Sequence, residues 1–545
     1  MDKKNILIAV AWPYVNGDLH VGHVAGYLLP ADITARFFRL SGHKVLMVSG
    51  SDCFGTPITV EADKRGISPR EVVNEYHARN LSLFKNLGLT FDLYTKTDTD
   101  SHREITQEFL LKFWEKDLLI VKSQNQYFSD TLNRFLPDRY VEGVCPICKF
   151  VGARSDQCDN CGNLLDQNLI DPVSKIDKKP VSLKETKHLF VKWDKIEEKI
   201  KKYVDSSKNN WRDWIKGETQ KWLDGGLKER AVTRDLDWGV EIPQKIAKEL
   251  EGSENKRVYV WFDAVIGYYS ASRQWAAENN KNWEDFWCGE NINHYYFMGK
   301  DNLVFHTIFW PGQLITYNED LHLPDYQMIN QYLNLDGQKF SKSRGVVVDT
   351  AEFIEKFSPD SLRFYLTSIM PETSDASFTW NDFYNKNNSL LVGHIGNFIH
   401  RTLSLYNEKS FEKNVSDKVF NKIKDTFANS SEFIKTGKFK AYLAEIESLA
   451  SFANSYIDEA APWFSKKNDI KKFEIDGADL ISLTVSIMSL MEPITPNAWE
   501  NYCSCVGINE NNLWSSKDLK AEIEKILNII KIKNPTPLFS KFEEE

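Results

Sequence analysis

The stretch AWPYVNGDLHVGH, residues 11–23, follows an apolar run, Ile6 to Val10, and precedes a helical one. It sets His20 and His23 around Gly22, behind Trp12, Pro13 and Tyr14. That is too polar and too punctuated for a strand. From His23 to Leu40 the apolar residues Val24, Tyr27, Leu28, Ala31, Ala35 and Phe38 recur at helical spacing. HKVLMVSGSD, residues 43–52, reads as a second buried strand, and Pro69 to Leu87 as a helix capped by Ser68. A strand, a turn, a helix and a second strand make a βαβ opening, so the expected fold is a doubly wound parallel sheet. The turn then lies at the sheet's carboxyl edge, where ligand phosphates meet a helix N-terminus. Two imidazoles there offer N–H groups to such a ligand, and Gly22 lets a flat base approach the backbone. The turn is not a P-loop, since G-x-x-x-x-G-K-[ST] is absent from it.

The 545 residues suggest about three or four domains. A net charge of -9 argues against a protein that coats nucleic acid non-specifically, though not against local basic patches. The apolar run after Lys3 and Lys4 is too short for a signal peptide and meets Pro13. No stretch reaches the ~18 apolar residues of a spanning helix. Of the eight cysteines, Cys145, Cys148, Cys158 and Cys161 cluster and the rest scatter, which is metal spacing and points to the cytoplasm.

The α/β pattern breaks near Leu118 and resumes with YVWFDAVIGY, residues 259–268, and GKDNLVFHTIFWP, residues 299–311. The expected domains are therefore a first α/β half at 1–117, an insert at 118–222, a second α/β half at 223–330, a linker at 331–380 and a helical bundle at 381–545. The tail, with Pro535 and Pro537, reads as an irregular packed arm. The insert contains CPICKFVGARSDQCDNC, spaced C-x2-C-x9-C-x2-C. Four thiolates at that spacing close a tetrahedral zinc site with no open position, so the metal is structural, supporting an insert too small for a core of its own. The linker contains LNLDGQKFSKSRG, residues 333–345. Its Lys339, Ser341, Lys342 and Ser343 suit a polyphosphate.

HVGH followed about three hundred residues later by KFSKS resembles the paired signatures of class I aminoacyl-tRNA synthetases. GTPI, FLPDRYVEGVCPIC, YVWFDAVIGY, GKDNLVFHTIFWP and DEAAPW extend the resemblance to the methionyl-tRNA synthetase family, from about residue 5 to 530. The resemblance implies a split Rossmann-like catalytic domain with a zinc-knuckle insert and a helical anticodon-binding domain. It implies activation of L-methionine by ATP with Mg²⁺, and transfer to the 3′-terminal adenosine of tRNA(Met), initiator tRNA included. His20, Gly22, His23, Asp301, Lys339, Ser341, Lys342 and Ser343 would hold ATP, with His20, His23, Lys339 and Lys342 as the catalytic set. Trp12, Tyr14, Asp52, Trp261, Tyr268, Phe305 and His306 would line the methionine site. Asp52 is the expected partner of the ammonium, and a Tyr or His donor would face the sulfur. Asn397, Arg401 and Trp463 would read the anticodon. In GHIGNFIHRT, residues 393–402, Ile395, Phe398, Ile399 and Thr402 share one helix face, while Asn397, Arg401 and His394 lie on the other.

Two departures stand out. Trp12 occupies a position where bacterial members carry Leu, which alters the expected pocket mouth. DPVSKIDKKP, residues 171–180, has no cysteine where some relatives carry a second knuckle, so one zinc per chain is expected. The insert leaves little room for an editing domain, which opposes the leucine enzyme, and a closed zinc site opposes the cysteine enzyme. The other readings are a catalytically silent tRNA-binding paralogue and a nucleotidylyltransferase. Intact signatures weigh against the first, and the helical domain with Trp463 against the second. With no further domain after the bundle, a monomer is expected. Lys199, Lys201 and Lys202 read as an ordinary solvated face.

Overall fold

The computed structural model describes residues 3–137, 140–155, 158, 160–161, 165, 168–336, 348–510 and 512–543, and the backbone alone at 338–339. Its centre is a five-stranded sheet built from β1 (Asn5–Val10), β2 (Lys44–Ser51), β3 (Leu93–Lys96), β4 (Ile292–Gly299) and β5 (Tyr326–Asn330). The spatial order is β5-β4-β1-β2-β3, with every neighbour parallel. Strands covered on both faces read as apolar runs, and Ile6, Leu7, Ile8, Ala9 and Val10 are all buried. The order reverses between β1 and β4, whose register runs from Asn5↔Ile292 to Val10↔Phe297. Ligands of such sheets bind outside the carboxyl ends of the strands at that reversal. The stretch after β1 and the turn after β4 therefore face one crevice.

Ser68 caps the helix Pro69–Leu87 as read, and Glu71 completes a capping box with it. The helix after β1 differs from a plain α-helix. It opens at Val21–His23, widens to a π-helix at Val24–Leu28, then continues as Leu29–Leu40. A π-helix also winds Phe305–Phe309, and another, Lys386–Gly396, leads into Asn397–Tyr406. Each adjoins residues assigned to a site from the sequence, where such turns are frequently found.

Two antiparallel sheets form the insert. One pairs Leu119–Ser129 with Arg134–Phe135 and Ser182–Val191, and extends to Arg230–Ala231. The other joins Val141–Val144, Val151–Arg154 and Ile170–Ser174 around the cysteines. This lobe does have a small core of its own, with Tyr127, Leu136, Val141 and Leu169 buried beside Cys145 and Cys158. The segment between the sheets' long strand and residue 222 divides differently from the sequence reading. Trp193, Ile200 and Tyr203 join the main core, and Tyr203 donates to Pro324 O at 2.9 Å. Their large apolar side chains find cover on the catalytic sheet, which the knuckle is too small to provide. Lys199 and Lys201 pair with Glu319 and Glu197, an ordinary solvated face.

The linker residue Arg363 ties the helical bundle to the domain that carries the sheet. Arg363, fully buried, meets Asp32 of the first helix at 2.7 Å. Its remaining donors reach Ile494 O at 2.7 Å, Pro493 O at 2.7 Å and Leu87 O at 3.2 Å. The other Asp32 oxygen accepts from Thr90 N at 2.8 Å. Every polar atom of the pair is thus used, the condition under which a buried pair is tolerated. The tail packs as an arm, with Asn387 and Asn388 donating to Ser540 O and Phe542 O. No helix among the described residues is long and apolar enough to cross a membrane.

Burial raises the Asp32 carboxyl, and Arg363 and Arg36 more than offset it, leaving it at about 2. Its depressed value contributes stability above the unfolded value of 3.8, which is lost as pH falls toward 2. Arg363→Ala removes the counter-charge and should cost about 3–5 kcal/mol. Urea unfolding at pH 7 and between pH 4 and 2 checks both effects: the variant should be weaker at neutral pH and should lose less on acidification.

Candidate active site

His20 is the N-cap of the helix that follows β1, in extended backbone geometry. Its Nδ1 accepts from Gly22 N at 3.1 Å, and His23 Nδ1 accepts from His20 N at 3.1 Å. A neutral imidazole has one donor and one acceptor nitrogen. Both Nδ1 atoms are acceptors here, so both protons sit on Nε2. The rings lie 3.9 Å apart between centroids. The turn therefore presents two fixed Nε2–H donors beside a helix N-terminus, where a phosphate is favoured.

Residues that follow the second signature in the chain meet the first through the backbone. Leu333–Leu335 and Gln338–Lys339 form a hairpin, with Asn334 opposite Lys339 and Asp336 at φ 45° in its turn. Ser341, Lys342, Ser343 and the Lys339 side chain lie outside the described residues. Beyond them the chain returns at Asp349, which pairs with His20 as an antiparallel bridge. Thr350 Oγ1 donates to Leu19 O at 3.2 Å. Asp349 and Thr350 thus lie against the histidine turn. Asp301 sits in the short turn after β4, on the other bank of the crevice, and accepts from the Tyr332 hydroxyl.

The residues assigned to the amino-acid pocket also converge. Tyr14 and Asp52 are bridge partners, and Asp52 N donates to Pro13 O at 2.9 Å. Trp261 stacks on Phe305 at 4.2 Å, and Tyr14 meets Trp261 edge-on at 6.4 Å. Such aromatic faces suit a thioether. Tyr268 and His306 are buried and joined at 2.8 Å. His306 Nδ1 donates to Asn302 O at 2.9 Å, so its Nε2 accepts the Tyr268 proton. Burial holds His306 down to about 4, neutral at physiological pH. Both protons expected to face a sulfur are engaged within the protein in this arrangement.

Asp52 is buried, and that burial, with the adjacent Asp263 carboxylate, pushes it above the usual carboxylate range. A group in that state gains most from an ammonium. Asp263 was not singled out from the sequence. It is fully buried, neither carboxylate oxygen has a hydrogen-bond partner among the described residues, and His102 Nε2 lies 3.7 Å away. His102 N–H at Nδ1 is directed to Ser270, whose own proton goes to Gly267 O. Only an acid inside an apolar run, Val260–Ile266, hinted at this in the sequence.

The Trp12 ring packs closely against two glycines. A Cβ at Gly50 would lie 2.1 Å from its ring, and one at Gly267 would lie 2.6 Å away. The indole is clamped between β2 and the helix Gly267–Asn279. Two absent side chains accommodate the larger residue.

The four cysteines meet as the spacing requires. Cys145 Sγ and Cys161 Sγ are 3.9 Å apart, Cys148 Sγ and Cys158 Sγ 3.6 Å, and all four lie within 4.8 Å of one another. A tetrahedron with metal–sulfur bonds of about 2.3 Å has edges of about 3.8 Å. The sulfurs therefore fit a four-thiolate metal ion. On the bundle, Ile395, Phe398, Ile399 and Thr402 are buried and Asn397 is exposed. Arg401 meets Asp458 at 3.0 Å and lies 4.8 Å over the Trp463 ring. Trp463 is 44% exposed, so it is not a core residue.

A switch-point crevice with a histidine turn, a lysine hairpin and a helical partner domain defines a class I tRNA synthetase. The family model described as tRNA synthetases class I (M) matches residues 6–403, and the anticodon binding domain of methionyl tRNA ligase matches 408–545. The methionine–tRNA ligase of Roseiflexus castenholzii is 44% identical over 85% of this chain and 80% of its own. That of Thermoplasma volcanium is 39% identical over 92% of this chain and 93% of its own. The solved Mycobacterium tuberculosis methionyl-tRNA synthetase in complex with methionyl-adenylate shares the fold, with a TM-score of 0.78 at 20% identity, over 99% of this chain and 100% of its own. The chain belongs to the methionyl-tRNA synthetase family. The matched regions divide between 403 and 408, at the end of the helical run Trp380–Tyr406 rather than at its start.

The clamp on Trp12 is testable. Gly50→Ala and Gly267→Ala should each destabilise the protein by about 1–3 kcal/mol through overpacking. Adding Trp12→Leu should recover most of the loss, with a coupling of about 0.5–3 kcal/mol in a double-mutant cycle by urea unfolding.

Proposed function

We propose that the chain joins L-methionine to the 3′-terminal adenosine of tRNA(Met), elongator and initiator alike, in two steps at the crevice between β1 and β4. The observation that supports this is the bridge to His20 of the histidine turn from Asp349, which follows the lysine loop in the chain. In the first step the methionine carboxylate attacks the α-phosphorus of ATP and pyrophosphate leaves. The carboxylate is already ionised at neutral pH, so no protein base is needed. The chain's task is to align two anions and stabilise charge on the departing phosphates. His20 and His23 donate from Nε2 on one side, and Lys339 and Lys342 reach in from the loop on the other. Ser341 and Ser343 add short donors, Gly22 admits the adenine, and Asp301 accepts from the ribose. Mg²⁺ arrives with ATP.

Asp52 pairs with the methionine ammonium, and its burial makes that pairing strong. Trp12, Tyr14, Trp261, Tyr268, Phe305 and His306 enclose the side chain. In the second step the terminal ribose hydroxyl attacks the adenylate carbonyl, giving methionyl-tRNA and AMP. Asn397 and Arg401 hydrogen-bond unstacked anticodon bases, and Trp463 stacks on one. The same proposal includes one structural zinc on Cys145, Cys148, Cys158 and Cys161, and a cytoplasmic monomer.

ATP–pyrophosphate exchange tests the reading. Exchange should depend on methionine among the amino acids, and His20→Ala, His23→Ala or Lys342→Ala should each lower its rate about 10²–10³-fold. Exchange that no amino acid supports would leave a silent tRNA-binding protein as the better reading. Metal analysis should return one zinc per chain, and Cys148→Ser should lower that figure and the thermal midpoint together.

A further inference from the structure

Tyr332 lies between β5 and the hairpin that carries Lys339, on the bank of the crevice opposite the histidine turn. Its hydroxyl donates to Asp301 Oδ1. Burial and the Asp301 charge push the Tyr332 phenol up, so it remains a donor at neutral pH. Around this bond the chain is tied again. Lys300 Nζ donates to Asp375 Oδ1 at 2.8 Å and lies 4.0 Å over the Tyr332 ring. Tyr332 N donates to the same Asp375 oxygen at 3.0 Å. Asp375 immediately precedes Ala376–Phe378, which pairs in parallel with the hairpin strand Leu333–Leu335. The turn after β4 and the root of the lysine hairpin are therefore one interlocked unit of Lys300, Asp301, Tyr332 and Asp375.

We propose that Tyr332 is a positioning residue for nucleotide ribose, its hydroxyl orienting the Asp301 carboxylate while its backbone begins the hairpin that delivers Lys339. A carboxylate at the end of an exposed turn samples several rotamers, and an acceptor for ribose hydroxyls works best when fixed beforehand. The bond occupies one oxygen and fixes the plane of the group. The ring, held beneath Lys300, transmits the position of that plane to the hairpin. This inference rests on the reading of Asp301 as the ribose acceptor.

The test compares ATP with 2′-deoxyATP and 3′-deoxyATP in methionine-dependent pyrophosphate exchange, using the full chain, Tyr332→Phe and Asp301→Asn. Phenylalanine keeps the ring beneath Lys300, and an unchanged thermal midpoint verifies the fold. Tyr332→Phe should raise the KM for ATP about ten-fold, as for loss of a hydrogen bond to a charged group. It should leave the KM for methionine unchanged and bring the ratio of ATP to deoxyATP efficiency toward one. Asp301→Asn should do the same to that ratio. If Tyr332→Phe weakens ATP and the deoxy analogues equally, or weakens neither, while Asp301→Asn erases the discrimination, the role of Tyr332 is refuted and that of Asp301 stands. If Asp301→Asn also preserves the discrimination, the ribose reading itself fails and the inference with it.

Discussion

The parallel pairing of β1 with β4 is the constraint on which the rest depends. Their register, Asn5↔Ile292 to Val10↔Phe297, brings together segments separated by most of the catalytic domain and the whole insert. Because strand order reverses there, the helices that follow the two strands leave on opposite faces and a crevice opens between their starts. The histidine turn and the Lys300–Asn302 turn line its two banks. Arg363, paired with Asp32 beside that sheet, also donates to Pro493 O and Ile494 O, which ties the helical bundle to the catalytic domain.

The chemistry of the crevice depends on where protons are held. Capping the helix uses the Nδ1 lone pairs of His20 and His23, which puts the proton of each ring on Nε2. In the pocket Tyr268 gives its proton to His306 Nε2, and His306 gives its own to Asn302 O. Asp52 and Asp263 are buried together and each is pushed above the usual carboxylate range, so a cationic group beside them is favoured. A chain with net charge -9 can therefore hold a polyanion, because local donors rather than overall charge face it.

Much of this was legible in the sequence. The strand–turn–helix opening, the capped helix at Pro69, the cysteine knuckle and the inward face of Ile395, Phe398 and Ile399 follow from local periodicity and spacing. What escaped depends on residues distant in sequence. Trp12 could be placed only once Gly50 and Gly267 were seen on either side of it, since a missing side chain carries no signal in its own neighbourhood. Asp263 lay hidden in an apolar run because a buried acid has the same spacing as the core around it. β5 is short and closely followed by the hairpin, so its parallel partner, not its own pattern, identifies it. The insert boundary shifted because Trp193 and Tyr203 chose the larger core available in space.

The central claim is that donors from the histidine turn and from the lysine loop meet on one triphosphate. A crystal structure with methionine and a non-hydrolysable ATP analogue measures this directly. The account predicts phosphate oxygens within hydrogen-bonding distance of His20 Nε2 and His23 Nε2, the ribose at Asp301, and Lys342 on the opposite side of the phosphates. A nucleotide bound elsewhere, with the two signatures turned to separate cavities, would contradict it.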